Sequence, residues 1–349
     1  MANKHEFDVR GFSFVVLFCI LVIAIMQTTF LSTAFVERLA YENARFQRSA
    51  QVLLTMPPQK IVPHNLTLGF VGDIMLDRGV KGAIQNYGSG DYRFPFLKAR
   101  DELRQYDILF GNLEGPISDK GNNQGSIYSF RMRPDAIEGL RDAGFDVLSV
   151  ANNHIGDWGI SAIENTLERL QNRSIVPIGA GLNAKEAYQS RVISKNGVRV
   201  AYFAFSEFET GFVETSEDAP GIAIIGDGEK MIESINDAKN NADIVVVSFH
   251  FGDEYQSKPN EYQQRITKRV VDAGADVVVG HHPHVVQPLE RYNNSYIAYS
   301  LGNFVFDQNF SEETMIGAAL EVVVANKKIK SARYRTVRLN NHFQPVFVD

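Results

Sequence analysis

The stretch Asp276-Val277-Val278-Val279-Gly280-His281-His282-Pro283-His284 constrains the fold more than any other part of the chain. A short β-branched run bounded by glycine and proline reads as a buried strand, and open α/β sheets carry their sites just past the carboxyl ends of such strands. The three histidines therefore stand at a strand mouth. Imidazole is the commonest biological metal ligand, and a His-x-His pair in a tight turn aims two nitrogens at one small volume. Histidines in a turn can also be merely solvated, so the reading depends on whether the arrangement recurs.

It does recur along the chain. Leu68-Gly69-Phe70-Val71 is an apolar strand ending at Gly72-Asp73, with Asp77 shortly after. Asp107-Ile108-Leu109-Phe110 runs into Gly111-Asn112-Leu113-Glu114-Gly115-Pro116, and Phe145 to Val150 runs into Ala151-Asn152-Asn153-His154, followed by Asp157 and Gly159. Ile244 to Phe249 delivers His250, with Gly252, Asp253 and Glu254 behind it. Carboxylates and amides at these ends are hard oxygen ligands of the kind divalent metals take; each alone reads equally as a turn or cap residue. Helices are expected at Ile160 to Leu170, Glu229 to Asn240 and Glu261 to Ala273, which gives the βαβ rhythm of an α/β domain. Further strands are expected at 175–178, 198–205 and 296–300, and an antiparallel edge pair at Ala319 to Val324 and Ala332 to Leu339. The Glu-, Asp-, Gly- and Thr-rich stretch from Ser206 to Gly228 reads as a long loop or lid.

The sole cysteine, Cys19, lies in the N-terminal apolar segment, so the globular part has neither a disulfide framework nor a thiolate metal site. A net charge of −6 argues against a nucleic-acid partner, which would call for a basic excess. Phe12 to Met26 is free of charge, and apolar character resumes to Val36, long enough for one membrane-spanning helix. The alternatives are a signal peptide cleaved near Ser32-Thr33-Ala34 and a buried core helix. The domain organisation expected is a tail and membrane anchor over 1–36, a stalk and linker over 37–64 ending near Pro57-Pro58, and a globular domain over 65–349. A single N-terminal span places that domain outside the cytoplasm, as a single-pass protein of the cell membrane.

The five strand ends together supply the ligands of a one- or two-metal centre. Two ions about 3.5–4 Å apart can generate hydroxide from a bound water and clamp the oxygens of an in-line displacement at phosphorus. The order Gly-Asp, Gly-Asn-Leu-Glu, Asn-Asn-His, a lone His after a strand and a final His-x-His resembles the calcineurin-like metallophosphoesterase superfamily. More closely it resembles the CapA-type poly-γ-glutamate capsule biosynthesis family, through Gly72-Asp73-Ile74-Met75-Leu76, Gly111-Asn112-Leu113-Glu114, Ala151-Asn152-Asn153-His154, His250-Phe251-Gly252-Asp253-Glu254-Tyr255, His282-Pro283-His284 with Gln287, and Ser300-Leu301-Gly302-Asn303-Phe304.

That resemblance implies a four-layer α/β/β/α sandwich of metallophosphoesterase type, preceded by one N-terminal transmembrane helix. It implies that Asp73 binds a first metal, Asn153 and His250 a second, and His282 and His284 one each, with Mn, Fe or Zn as the divalent ion. His154 would be the general acid, positioned by Asp157. Two departures from the superfamily stand out: Met75 replaces a histidine ligand, and Asn112 replaces a bridging aspartate, so Glu114 is expected to bridge. Residues two apart on an extended strand face opposite sides, so Asn112 and Glu114 reach one site only if the strand has ended. Arg131, Glu254 and Asn303 are the expected substrate-side residues, and His281, without a counterpart in the pattern, is expected as an ordinary turn residue. Three functions remain open: a capsule-polymer hydrolase acting in synthesis, export or attachment of an anionic polymer; a general phosphoesterase; and a non-catalytic metal-stabilised scaffold of a polymer synthase or export complex.

Overall fold

The computed structural model describes residues 35–36, 38–47, 66–208 and 218–348. Contacts divide the chain into two units, Met1–Val62 and Pro63–Asp349. In the first, residues 35–36 and 38–47 are helical with exposed side chains; the rest of the expected anchor and stalk lies outside the described residues. Among the described residues no helix is long and apolar enough to cross a membrane.

Among the described residues the second unit is built on sixteen strands. The first four are β1 (Leu66–Ile74), β2 (Ile108–Leu113), β3 (Val147–Ser149) and β4 (Val176–Ile178). They are followed by β5 (Ala180–Gly181), β6 (Arg191–Lys195), β7 (Val198–Ser206) and β8 (Gly221–Ile222). Next come β9 (Ile244–His250), β10 (Val277–His281), β11 (Leu289–Tyr292) and β12 (Ser295–Ala298). The last are β13 (Asn303–Val305), β14 (Ile316–Ala325), β15 (Lys328–Leu339) and β16 (Pro345–Phe347).

One sheet has the order β16-β15-β14-β1-β2-β3-β4, with β13 also paired to β1; the other has the order β11-β12-β10-β9-β7-β6. Strands β1 to β4 are mutually parallel, as are β7, β9, β10 and β12, and antiparallel strands flank each set. The near-continuous apolar runs of the central strands follow from burial on both faces.

Three apolar cores separate four layers. Leu68, Phe70, Ile108 and Phe110 of the first sheet meet Tyr202, Val246 and Val279 of the second across the middle. The outer face of the first sheet, through Val71, Leu109 and Leu148, packs on Val80, Ile137 and Ile163 of helices Arg78–Tyr87, Ala136–Ala143 and Ile160–Gln171. The outer face of the second, through Val245, Val247 and Val278, packs on Ile235 and Val270 of helices Glu229–Lys239 and Glu261–Asp272. This is the α/β/β/α order expected, and the three helices foreseen in the sequence fall where expected to within a few residues.

Two expectations need correction. The antiparallel pair β14–β15 is not at an edge: β14 bonds β1 from Leu66↔Val324 to Phe70↔Leu320, and β16 covers part of β15. The acidic stretch 206–228 is not all loop, since Gly221–Ile222 pairs antiparallel with Ala180–Gly181; residues 209–217 lie outside the described residues.

Register, more than any single contact, positions the site. Asp73 lies opposite both Asn112 and Asn303, Asn112 opposite Ser149, and His250 opposite both His281 and Ser206. The parallel strands of both sheets thus end together. Gly72 permits this closeness, because a Cβ there would stand 1.8 Å from the Gly302 carbonyl oxygen, and the Asp73 N–H bonds that same oxygen at 3.0 Å.

Candidate metal centre

At the shared strand ends, the buried side chains of Asp73, Asn112, Glu114, His250, His281, His282 and His284 gather between the sheets. Strand β2 stops at Leu113, so Glu114 is free of the alternation that would send it away from Asn112; the Asn112 amide nitrogen lies 3.4 Å from Glu114 Oε2. Past the histidine strand the backbone enters the left-handed region at His282 (φ 95°) and His284 (φ 57°), a costly conformation for side chains with a Cβ. It turns His282 and His284 back over Asp73, whose Oδ2 accepts the His282 N–H at 3.3 Å and lies 3.2 Å from His284 Nδ1.

The hydrogen bonds set the orientation of these groups. Asn303 Nδ2 donates to the Thr314 carbonyl and to Gln308 Oε1, each at 3.0 Å, so its Oδ1 faces His284 Nδ1 at 3.0 Å. A backbone carbonyl can only accept, which fixes the amide and makes His284 Nδ1 the N–H nitrogen. His284 Nε2 is left for a ligand; it faces Glu114 Oε1 at 3.6 Å.

Asn152 is anchored in the same way. Its Nδ2 donates to the Leu113 carbonyl at 2.8 Å and to Asn112 Oδ1 at 3.3 Å, and its Oδ1 accepts the His154 N–H at 3.2 Å. Asn112 therefore points its Nδ2 at Asp73 Oδ1, 2.8 Å away. On the other side, His250 Nε2 meets Asn153 Oδ1 at 2.9 Å.

Burial pushes the Asp73 carboxyl up, but hydrogen bonds and positive charge from His281 and His284 outweigh it and hold the group well below the usual carboxylate range. Burial pushes Glu114 well above that range, against the pull of His284. Burial disfavours charge on His284, yet Glu114 and Asp73 overcome it and lift the imidazole to about 9. Burial and the neighbouring His284 lower His282 to about 3, and burial with His282 lowers His250 well below the ordinary imidazole value. Positive charge is thus wanted between Asp73 and Glu114, whereas His282 and His250 are held neutral, with lone pairs available.

The donor set fits a cation. Asp73, Glu114 and His284 each bring a ligand atom within 4.8 Å of the others, as do Glu254, His282 and His284. Glu114 Oε1 and His282 Nδ1, one in each of these groups, are buried without a hydrogen-bond partner, a costly arrangement that a bound cation would relieve.

Beside this cluster, His154 Nδ1 is 2.9 Å from Asp157 Oδ2, which also accepts the Phe130 N–H at 2.8 Å, and the imidazole lies against the Phe130 ring, centroids 4.0 Å apart. His154, His284 and Glu254 share a cavity of about 240 Å³. Arg131 does not line it; its guanidinium sits 3.5 Å over the Trp158 ring, and the arginine on the cavity wall is Arg78, paired with Asp307. Asn303, expected to face substrate, is fully buried behind His284.

His281 is no turn residue: it is the last residue of β10, fully buried, with Nδ1 3.3 Å from Asp73 Oδ1. Sequence reasoning also passed over Asn152, although its place inside Asn152-Asn153-His154 was the available signal.

The profile of the family described as bacterial capsule synthesis protein PGA_cap matches residues 67–308, a span that holds every side chain discussed above except Thr314. The chain belongs to that family. Within PGA_cap it is 38% identical over 257 residues to the capsule biosynthesis protein CapA of Bacillus anthracis, covering 71% of this chain and 61% of that protein. It is 36% identical over 249 residues to the PGA biosynthesis protein CapA of Bacillus subtilis (strain 168), covering 70% and 64%. The match thus spans under two thirds of these relatives' own length. A crystal structure described as a novel phosphatase of Mycoplasma pneumoniae shares 14% identity with TM-score 0.49, over 79% of this chain and 95% of that one; likeness of this degree bears on neither ligand nor reaction.

Proposed function

We propose that this PGA_cap protein acts in the synthesis, export or attachment of a capsule polymer of poly-γ-glutamate type, through a metal-dependent hydrolase site of metallophosphoesterase kind. The observation that carries the reading is that Glu114 Oε1 and His282 Nδ1, one in each of the two ligand groups, are buried and unsatisfied, and that both groups include His284, which shares a cavity wall with His154, the partner of Asp157. Asp73, Glu114 and His284 would hold one divalent ion, and Asn153, His250 and His282 would hold a second. A bound ion supplies a nucleophilic water near neutral pH and neutralises charge on the attacked group. Asp157 accepts from His154 Nδ1, leaving Nε2 as the nitrogen that passes a proton to the leaving oxygen. Asn303 keeps His284 in the tautomer that offers Nε2.

The N-terminal apolar segment is proposed to tether the domain to the membrane with its site facing outward, where the polymer is handled by synthase and export subunits. The test is hydrolysis of a generic phosphodiester by the full chain with added Mn²⁺. The account expects turnover that is lost in His250→Ala and falls about 10²–10⁴-fold in His154→Ala with metal content intact. Turnover unchanged in both variants would refute it. Membrane fractionation of the full chain against one lacking residues 1–36 tests the tether, and identical soluble recovery of both would remove it.

A further inference from the structure

We infer that the cavity beside the metal centre is a subsite for an uncharged, hydroxylated ring carrying a single phosphate, of sugar-phosphate type, and not for a run of polymer carboxylates. This rests on the metal-centre reading above and specifies what that site takes. The volume, about 240 Å³, is below the range of drug-sized pockets and admits one ring and its phosphate, not a stretch of chain.

Aromatic side chains form much of the cavity wall, interleaved with Arg78, His154, Glu254, His284, Asp307 and Gln308. Tyr128 and Phe310 stand at its mouth 66% and 64% exposed, and Tyr255 is 42% exposed, although large rings usually bury. Tyr255 and Phe310 meet edge to face, centroids 5.1 Å apart at 88°, which makes a corner. A puckered ring with C–H faces and polar edges fits such a corner.

The polar groups on the wall are mainly acceptors for hydroxyls. Glu254 is exposed, and Gln308 reaches the cavity beside it. Arg78 is the one Lys or Arg on the wall among the described residues, and it is already committed to Asp307 through Nε at 3.1 Å and through a second guanidinium nitrogen. Away from the metal, a polymer carrying one carboxylate per residue would meet Glu254, with Arg78 already paired to Asp307, so charge opposes it there. One anionic group is accommodated, at the metal.

The ring wall is also tied to the ligands. Tyr255 is held in the left-handed region (φ 62°) by its N–H to the Pro283 carbonyl at 2.8 Å, and its hydroxyl accepts from Gln308 Nε2 at 3.2 Å. Gln308 Oε1 in turn accepts from Asn303, the residue that orients His284. Strain of this kind in an exposed aromatic persists only where the surroundings impose it.

The test is calorimetric titration of the Mn²⁺-loaded full chain with glucose 6-phosphate, inorganic phosphate, adenosine monophosphate and tri-γ-glutamate. Glucose 6-phosphate is expected to bind about tenfold more tightly than inorganic phosphate, the scale of one good aromatic contact. Phe310→Ala should remove most of that advantage while leaving inorganic phosphate within about twofold, and Tyr255→Ala should remove it as well. Equal binding of the two phosphates, an advantage that survives both variants, or tighter binding of tri-γ-glutamate or adenosine monophosphate would overturn the subsite and leave the metal centre standing. Failure of inorganic phosphate to bind at all would overturn both readings together.

Discussion

Replacing Asn303 by leucine tests the internal logic of the site, because Asn303 touches no solvent and acts only through others. The side chain is fully buried and makes three hydrogen bonds of 3.0 Å, to His284, Gln308 and the Thr314 carbonyl. Leucine keeps the branched outline at a somewhat larger volume, so the side chain can take the same place with some overpacking while the polar partners lose their bonds. Gln308 reaches the cavity and can turn to water, and His284 Nδ1 keeps Asp73 Oδ2 at 3.2 Å, but the buried Thr314 carbonyl loses its partner. Orphaning one buried group costs about 1–3 kcal/mol, so the metal-free protein should lose about that much in urea unfolding. With one of its two acceptors gone, His284 is held less firmly in the tautomer and orientation that free Nε2, and metal affinity should fall about tenfold, the lower end of such effects. Competition with a chromogenic chelator measures this. In a His284→Ala background the same substitution should lower affinity no further, since the effect passes through that imidazole. Affinity within twofold of wild type for Asn303→Leu, or an undiminished loss in the His284→Ala background, would refute the reasoning.

Three other outcomes follow from the same geometry. The metal-free protein should lose stability as pH falls from about 6.5 toward 3: unfolded imidazole binds its proton near 6.5, while His282 resists it until about 3 and His250 shifts in the same direction, so the unfolded state takes up more protons. Urea unfolding should show at most about 1.4 kcal/mol per pH unit for each such group, and flat stability across that window would contradict it. His284 has the opposite sign: its proton is held up to about 9, a metal must displace it, and affinity should therefore rise up to tenfold per pH unit below that value; a pH-independent chelator competition would count against Nε2 ligation. Gly72→Ala should cost about 3 kcal/mol or more or prevent folding, because its methyl would overlap a fixed backbone oxygen; a wild-type urea midpoint would show that the approach of the two segments is not as close as described.

The parallel strands and the residues at their ends were legible because two-sided burial leaves continuous β-branched runs, and glycine with polar residues marks where they stop. The βαβ rhythm showed an α/β domain, and the layer order followed from the family resemblance alone. Asn303 and Asn152 were misplaced or overlooked because an amide looks the same in sequence whether it faces a ligand or orients a neighbour; only the backbone carbonyls of Thr314 and Leu113 decide which. His281 was read as a turn residue because its strand was expected to end at Gly280. Strand pairing with His250 carries β10 one residue further and buries that imidazole against Asp73. Arg131 looked like an anion fork in the sequence, yet its guanidinium stacks on Trp158, a partner distant enough in sequence that no local pattern announces it. The inward placement of β14 was hidden for a similar reason, since its partner β1 comes some 250 residues earlier.

The most direct test of the metal centre is elemental analysis of the full chain purified without chelator, beside a His250→Ala/His282→Ala double variant whose folding is checked by circular dichroism. The account predicts near-stoichiometric Mn, Fe or Zn in the wild type and a marked loss in the folded variant. A wild type that carries no transition metal even after reconstitution, or a folded variant that keeps its full complement, would contradict the claim that these strand ends form a metal site.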